Sequence, residues 1–178
     1  MPPVSLQETS NFRWITWRPS GIDVLPPYGA PRELVWAAMH HLRVFSNPCY
    51  AQVLAFKGDD LAHRSTIFPR WMRYPFMSPL DLQIGNTWTN PQYRGRGLAP
   101  AAIRRIVSQF HSPRRAFWYL VDKQNASSVA AVERAGFERI GEGVRESRLG
   151  VRLLGYFALE SYDGPVTNQA NGPRSAHG

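Results

Sequence analysis

Residues 88–110 read WTNPQYRGRGLAPAAIRRIVSQF, and the order of residue types in that stretch decides the architecture. Trp88 and Thr89 close an extended run that starts at Leu80. From Leu98 onward Ala99, Ala102, Ile103, Ile106, Val107 and Phe110 recur on one helical face. The segment is therefore a strand, a Gly-containing turn and an amphipathic helix. Gly95 and Gly97 accept positive φ and let backbone approach a ligand closely. Unpaired N–H groups and the positive end of the helix dipole face that turn. Arg94 and Arg96 add charge-assisted donors, and Pro100 falls in the first helical turn, where its missing N–H costs little. The chemistry suits a phosphate or pyrophosphate. A tight turn with solvated arginines would use the same residues. No Gly-Lys-Ser/Thr follows, against a Walker-type loop, and Gly-x-Gly-x-x-Gly is absent.

On either side of this segment, strand-like and helix-like patterns alternate. Phe12–Trp17 reads as a strand and Pro31–Phe45 as a helix, with Leu34, Ala38, Leu42 and Phe45 at helical spacing. Cys49–Phe56 and Leu61–Phe68 flank a KGDD turn and predict a hairpin. Ala116–Val121 has strand length, Asn125 caps a short helix that ends near Gly136, and Phe137–Ile140 and Val151–Leu159 supply two more strands. This order predicts an α/β fold on a mixed sheet. At 178 residues the chain makes one domain, expected over 12–162. Residues 1–11 and the tail 163–178, poor in large apolar groups, are expected to be loose.

Composition narrows the class of function. The chain is 43% hydrophobic and 12% aromatic, which rules out wholesale disorder. No apolar run approaches the ~20 residues of a membrane span, and the N-terminus lacks a signal peptide's hydrophobic stretch, so a cytoplasmic protein without a membrane partner is expected. The single cysteine, Cys49, makes neither an internal disulfide nor a thiolate cluster, and no metal is expected. The net charge of +8 favours an anionic partner. All the basic residues except Lys57 and Lys123 are arginines, and they are dispersed rather than blocked. Nucleic acid is therefore the disfavoured choice among anions.

A second segment, VDKQNASSVAAVERAGFERIG from Val121, lies one strand beyond the first. Together the two resemble the GNAT superfamily of acyl-CoA N-acyltransferases. Arg94-Gly95-Arg96-Gly97-Leu98-Ala99 fits that family's Arg/Gln-x-x-Gly-x-Gly/Ala signature, and Asn125, Ser128, Gly136 and Phe137 fit its Asn-x-x-Ser helix ending in Gly-Phe. The resemblance covers roughly residues 80–160. It implies a mostly antiparallel mixed sheet of six or seven strands, flanked by helices and splayed between strands four and five. It also implies acetyl-CoA as co-substrate, with its pantetheine arm in the splay. Backbone groups of Thr87, Trp88 and Thr89 would hold that arm, the amides of Arg94, Gly95, Arg96, Gly97, Leu98 and Ala99 the pyrophosphate, and Asn125 and Ser128 would contact the cofactor or simply cap their helix. Exposed strand edges make a homodimer compatible with the resemblance, though nothing in the residues demands one.

The catalytic positions depart from the family pattern. The place of the usual strand-four carboxylate falls on Gln83, which cannot act as a base. Period-two alternation puts Asp81 on the same face, making it the first candidate for the base, directly or through water; opening the strand or attracting an amine are its other roles. His63, in the preceding strand, is the second candidate, since its ordinary pKa suits proton transfer near neutrality. The family's tyrosine proton donor is missing, Val132 standing near its expected place, and Tyr119 and Tyr156 are the tyrosines on neighbouring strands. The stretch 68–85, with Trp71, Tyr74, Phe76, Met77, Arg70 and Arg73, reads as an aromatic, basic pocket for an anionic amine or as a core-packing loop. The expected activity is acetyl transfer from acetyl-CoA to a primary amine of a small molecule, such as an anionic or nucleotide-linked amino sugar. A non-catalytic acyl-CoA sensor and a basic nucleic-acid-binding module are the alternatives.

Overall fold

The computed structural model describes residues 9, 11–21, 23–26, 31–148 and 151–162. Its elements are β1 (Arg13–Trp17), α1 (Pro31–His41), β2 (Ala51–Lys57), β3 (Asp60–Pro69), β4 (Leu82–Thr89), α2 (Leu98–Phe110), β5 (Phe117–Tyr119), α3 (Ala126–Arg134), β6 (Gly141–Arg148) and β7 (Val151–Tyr162). Strands β1 to β5 form one sheet in chain order, antiparallel through β4, with β5 added parallel to β4. The fold class is as expected, but the central sheet has five strands rather than six or seven. The remaining two, β6 and β7, pair only with each other as a separate antiparallel sheet.

The two faces of the central sheet differ. On one, Val53, Ile67, Leu82 and Ile84 meet Ala102, Ile103, Ile106 and Phe110 of α2 in a dry apolar cluster, with Val132 of α3 against it. An α-helical stripe of this kind buries well because its apolar residues line up every three to four positions. The other face is aromatic and polar. Trp17, Phe45, Tyr50 and Phe68 cluster there with Trp36 and Trp71 at the edge.

Three local expectations change. Helix α1 stops at His41, not Phe45, because Arg43 turns left-handed at φ 55°, and Phe45 folds back into the aromatic cluster. Among its described side chains Glu33 and Ala37 are buried, whereas Leu34 and Ala38, and Leu42 just past its end, are exposed. The strand expected at Phe137–Ile140 is irregular, and the chain becomes extended only at Gly141. Apart from Thr9 and Asn11, the termini expected to be loose lie outside the described residues. Among the described residues no helix is long and apolar enough to cross a membrane.

Candidate active site

Strand β4 builds the site because it loses its neighbour halfway along. Its ladder with β5 runs from Leu82↔Phe117 to Ile84↔Tyr119 and ends there, while β4 continues to Thr89. On its other edge β4 stays paired with β3, but with an irregularity: Thr66 faces Gly85 and Arg64 faces Trp88, so β4 carries one extra residue. That bulge holds Asn86 at φ 46°. A bulge bends and twists the strand that contains it, and here it falls where β4 leaves β5. The residues Gly85–Thr89 thus offer an edge with no β5 partner.

Beyond Thr89 the chain makes a 3-10 turn at Pro91–Tyr93 and then the Arg-Gly-Arg-Gly turn. Gly95 and Gly97 have φ of 77° and 73°, values that a side chain would strain, and this backbone course directs the chain into α2. Gly97 is the N-cap of α2 and supplies no side-chain cap. The first amides of the helix therefore keep unpaired N–H groups on an exposed turn. Arg94 lies over the strand end, its Nε donating to the Thr89 carbonyl at 3.3 Å, and the Arg96 guanidinium lies 5.6 Å from the Tyr93 ring centroid. These features suit a pyrophosphate: an uncapped helix start with its dipole, a glycine turn and two arginines. Asn125 caps α3, its side chain accepting from the Ser128 amide at 3.1 Å and from the Ser127 hydroxyl at 3.0 Å.

The proposed bases occupy closed environments. Asp81 is buried, and both its carboxylate oxygens are engaged. The Ala116 amide donates to Oδ1 at 3.0 Å, while the Ser78 amide and the Trp118 indole donate to Oδ2 at 2.8 and 2.9 Å. It sits just before β4 and ties that strand's start to β5. His63 is fully buried between two hydroxyls, Thr89 at 2.8 Å from Nδ1 and Ser65 at 2.9 Å from Nε2. Burial, with the Arg64 charge adding to it, pushes its pKa down to about 3. The ring is neutral at physiological pH and too weakly basic there to collect a proton, which corrects the expectation drawn from an unperturbed histidine. Ser65 continues the chain to Thr87 at 3.2 Å, and on β5 burial raises the pKa of Tyr119. Side chains of β3 and β4 are thereby linked beside the splay.

On the opposite face lies a cavity of about 170 Å3, lined by α1, the 68–74 segment and β4, including Trp36, Phe68, Trp71, Tyr74, Gln83 and Asn86. Arg73 and Gly85 complete its wall. Trp71, Tyr74 and Arg73 line the cavity as the basic-aromatic reading of that stretch requires; Arg70, Phe76 and Met77 do not. The Arg73 guanidinium stacks over Trp71 at 4.8 Å. Gln83 is 6% exposed, and its buried Oε1 has no hydrogen-bond partner among the described residues. The Tyr74 pKa is raised, chiefly by burial, with Gln83, Arg73 and Arg145 opposing. Phe157 of β7 stacks on Tyr74 and its amide donates to the Arg73 carbonyl at 2.9 Å, docking the β6–β7 sheet beside the cavity.

Behind this cavity is a residue that pattern reading passes over. Glu33 of α1 is fully buried; it accepts from Gln52 at 3.0 Å and from Asn86 at 3.3 Å, and lies 3.8 Å from the Arg64 guanidinium. It thus grips the bulge residue of β4. The one sequence signal was Gly85-Asn86 inside an extended run, a pair that marks a bulge; nothing local pointed to Glu33.

A strand that leaves its neighbour, a glycine turn and a helix start in sequence are features that an acyl-CoA could use, and comparison with known proteins gives the family. The model of the acetyltransferase (GNAT) family matches residues 12–137, and the chain belongs to that family. It is an N-acetyltransferase with acetyl-CoA as co-substrate. Solved structures share the fold at low identity. AAC(6')-Iy, in complex with a CoA-acetylneamine bisubstrate analogue, has a TM-score of 0.54 at 13% identity, covering 76% of this chain and 98% of that one. An aminoglycoside acetyltransferase from an uncultured soil metagenomic sample, in complex with trehalose, has 0.52 at 8%, covering 78% and 98%. YncA from Salmonella typhimurium, with acetyl-CoA, has 0.51 at 12%, covering 89% and 99%. No curated protein sequence matches the chain.

Proposed function

We propose that the protein transfers the acetyl group of acetyl-CoA to a primary amine of a small molecule seated in the α1-side cavity. The observation that carries this reading is the early end of the β4–β5 ladder at Ile84↔Tyr119, with β4 running on into an uncapped, left-handed glycine turn. Backbone groups of Thr87, Trp88 and Thr89 would receive the pantetheine arm and the amides of Arg94–Ala99 the pyrophosphate, with Asn125 and Ser128 at the α3 end. The amine nitrogen attacks the thioester carbon, the carbon–sulfur bond breaks, and the nitrogen's proton passes through water to the departing thiolate. Water is the carrier in this reading because Asp81 is held by three N–H donors and His63 by two hydroxyls. Both are then positioning residues, fixing the start and the end of β4. A small-molecule acceptor is supported by the size of the cavity, which is below the ~300 Å3 of common ligand sites.

The test is a thiol-release assay with acetyl-CoA and a panel of small primary amines, beside a calorimetric titration with acetyl-CoA alone. Saturable binding with amine-dependent thiol release is the expected result. Binding without thiol release on any amine would favour an acyl-CoA sensor, and absence of binding would remove the reading.

A further inference from the structure

We propose that Glu33 is a positioning residue for the transfer step. From α1 it holds Asn86, and with it the bulge of β4, at a fixed place between the cavity and the edge of β4 that β5 has left. This rests on the acetyltransferase reading above and adds a residue to it. Asn86 belongs to both halves of the site. It lines the cavity, and it stands two residues past Ile84, where pairing with β5 ends. Its backbone is left-handed at φ 46°, a conformation uncommon outside glycine and one that surrounding structure must hold. The β3 ladder does not hold it. Thr66 pairs with Gly85 and Arg64 with Trp88, so Asn86 and Thr87 together oppose the single residue Ser65, and Ser65 bonds Thr87. Asn86 is instead held from α1, its Nδ2 donating to Glu33 Oε1 at 3.3 Å.

The carboxylate is placed as an anchor rather than as a reactant. Glu33 is fully buried and is not part of the cavity wall. Gln52 of β2 donates to its Oε2 at 3.0 Å, and the Arg64 guanidinium of β3 lies 3.8 Å from Oε1. With Asn86, one side chain of α1 thus engages three consecutive strands. A buried charge of this kind adds little net stability over an apolar side chain of similar volume, but its hydrogen bonds have direction. A leucine in its place would pack α1 on the sheet and leave the Asn86 amide without an anchor. Movement of the bulge changes the cavity wall and the open strand edge together, the two places where amine and thioester meet in the proposed reaction. A misplacement of ~1 Å in such an arrangement costs about a hundredfold in rate.

The experiment uses the full-length protein, with the small primary amine that gives the wild type its fastest thiol release, at a temperature where every variant is fully folded. Asn86→Gly keeps the left-handed backbone, which glycine adopts readily, and removes the side chain that Glu33 holds. Its urea midpoint and its Kd for acetyl-CoA should stay near wild type. Its kcat should fall about tenfold or more, while the acceptor KM moves less than about threefold. Glu33→Gln touches neither the cavity nor the open edge. Alone it should lower kcat about threefold or more, and in the Asn86→Gly background it should lower it no further, because both act through one contact. An unchanged kcat in Asn86→Gly would overturn the inference. So would a raised acceptor KM at full kcat, which would make Asn86 a wall contact only, or losses that multiply in the double variant. A wild type that releases thiol with no amine would remove the transferase reading itself, and this inference with it.

Discussion

The two helices that cover the sheet, α1 and α2, bury different kinds of surface. Helix α2 presents Ile103, Ile106 and Phe110 to Ile67 and Ile84, and its exposed positions are polar or charged. Helix α1 mixes the two: Leu34 and Val35 lie at 50 and 56% exposure, while Glu33 is fully buried beside Ala37 and the inward-packed Trp36 and Met39. The apolar contact on the α2 side is non-directional and tolerates rearrangement. The polar contact on the α1 side is directional, since a buried carboxylate keeps its charge only if its partners stay in place. Stability is therefore concentrated under α2 and geometry under α1. The cavity opens on the side where side chains are held by hydrogen bonds as well as by packing.

The largest effect should come where neither helix face is involved. Gly97→Glu places bulk and negative charge on a residue at φ 73° in the phosphate turn and should abolish acetyl-CoA binding in a calorimetric titration, at least about a hundredfold in Kd. Wild-type affinity in that variant would move the cofactor site elsewhere.

The two helices can be separated by parallel truncations. Ile106→Ala, on the buried α2 stripe, should cost about 2–5 kcal/mol in urea unfolding, and Leu34→Ser on α1 should stay within about 0.5 kcal/mol of wild type. Similar costs at the two positions would break the distinction drawn between the helices. Glu33→Ala leaves Arg64 buried beside an empty partner site and should cost about 3–5 kcal/mol, with Glu33→Gln recovering part of it through the bonds to Gln52 and Asn86.

A smaller effect tests Asp81. Asn at that position keeps the shape but turns a donor toward N–H groups that now find acceptors, so Asp81→Asn should lose about 1–3 kcal/mol of stability. As a positioning residue it should lower kcat without displacing the pH profile. A profile that shifts by a carboxylate's pKa would return Asp81 to the role of base.

His63 sharpens the comparison through pH. Its folded pKa of about 3 lies below the ordinary value of 6.5, so the unfolded chain binds the proton more readily between those values. Its contribution is complete above about pH 6.5 and is lost as pH falls toward 3; between pH 7 and 5 the loss should be about 2 kcal/mol. His40, whose pKa is also lowered by burial and by His41, adds in the same direction. Denaturation series at the two pH values should therefore show a smaller difference in His63→Gln than in wild type.

Where a buried face is apolar, the sequence pattern reports it. Helix α2 has the boundaries Leu98–Phe110 that its periodicity indicates, Asn125 caps α3, and the glycine turn lies between strand and helix as its composition requires. On α1 the same reasoning selected the solvent side, because Leu34, Ala38 and Leu42 recur at helical spacing while the buried side centres on a carboxylate. Hydrophobic spacing cannot register burial compensated by hydrogen bonds to Gln52 and Asn86, residues 19 and 53 positions away. The strand expected at Phe137–Ile140 failed for a related reason: the extended pairing partner, β7, sets the start of β6 at Gly141↔Tyr162.

The candidate site divides the same way. The glycine turn is local, built from consecutive residues whose backbone freedom and charge are written in their identities, so sequence alone located the turn between β4 and α2. The state of Asp81, His63 and Gln83 is not local. Asp81 is held by Ala116 and Trp118, His63 by Thr89 and Ser65, and Gln83 is buried in the wall of the cavity. A side chain's chemistry depends on the dielectric and donors around it, and those were decided only when β4 bulged away from β5 and α1 closed over the other face.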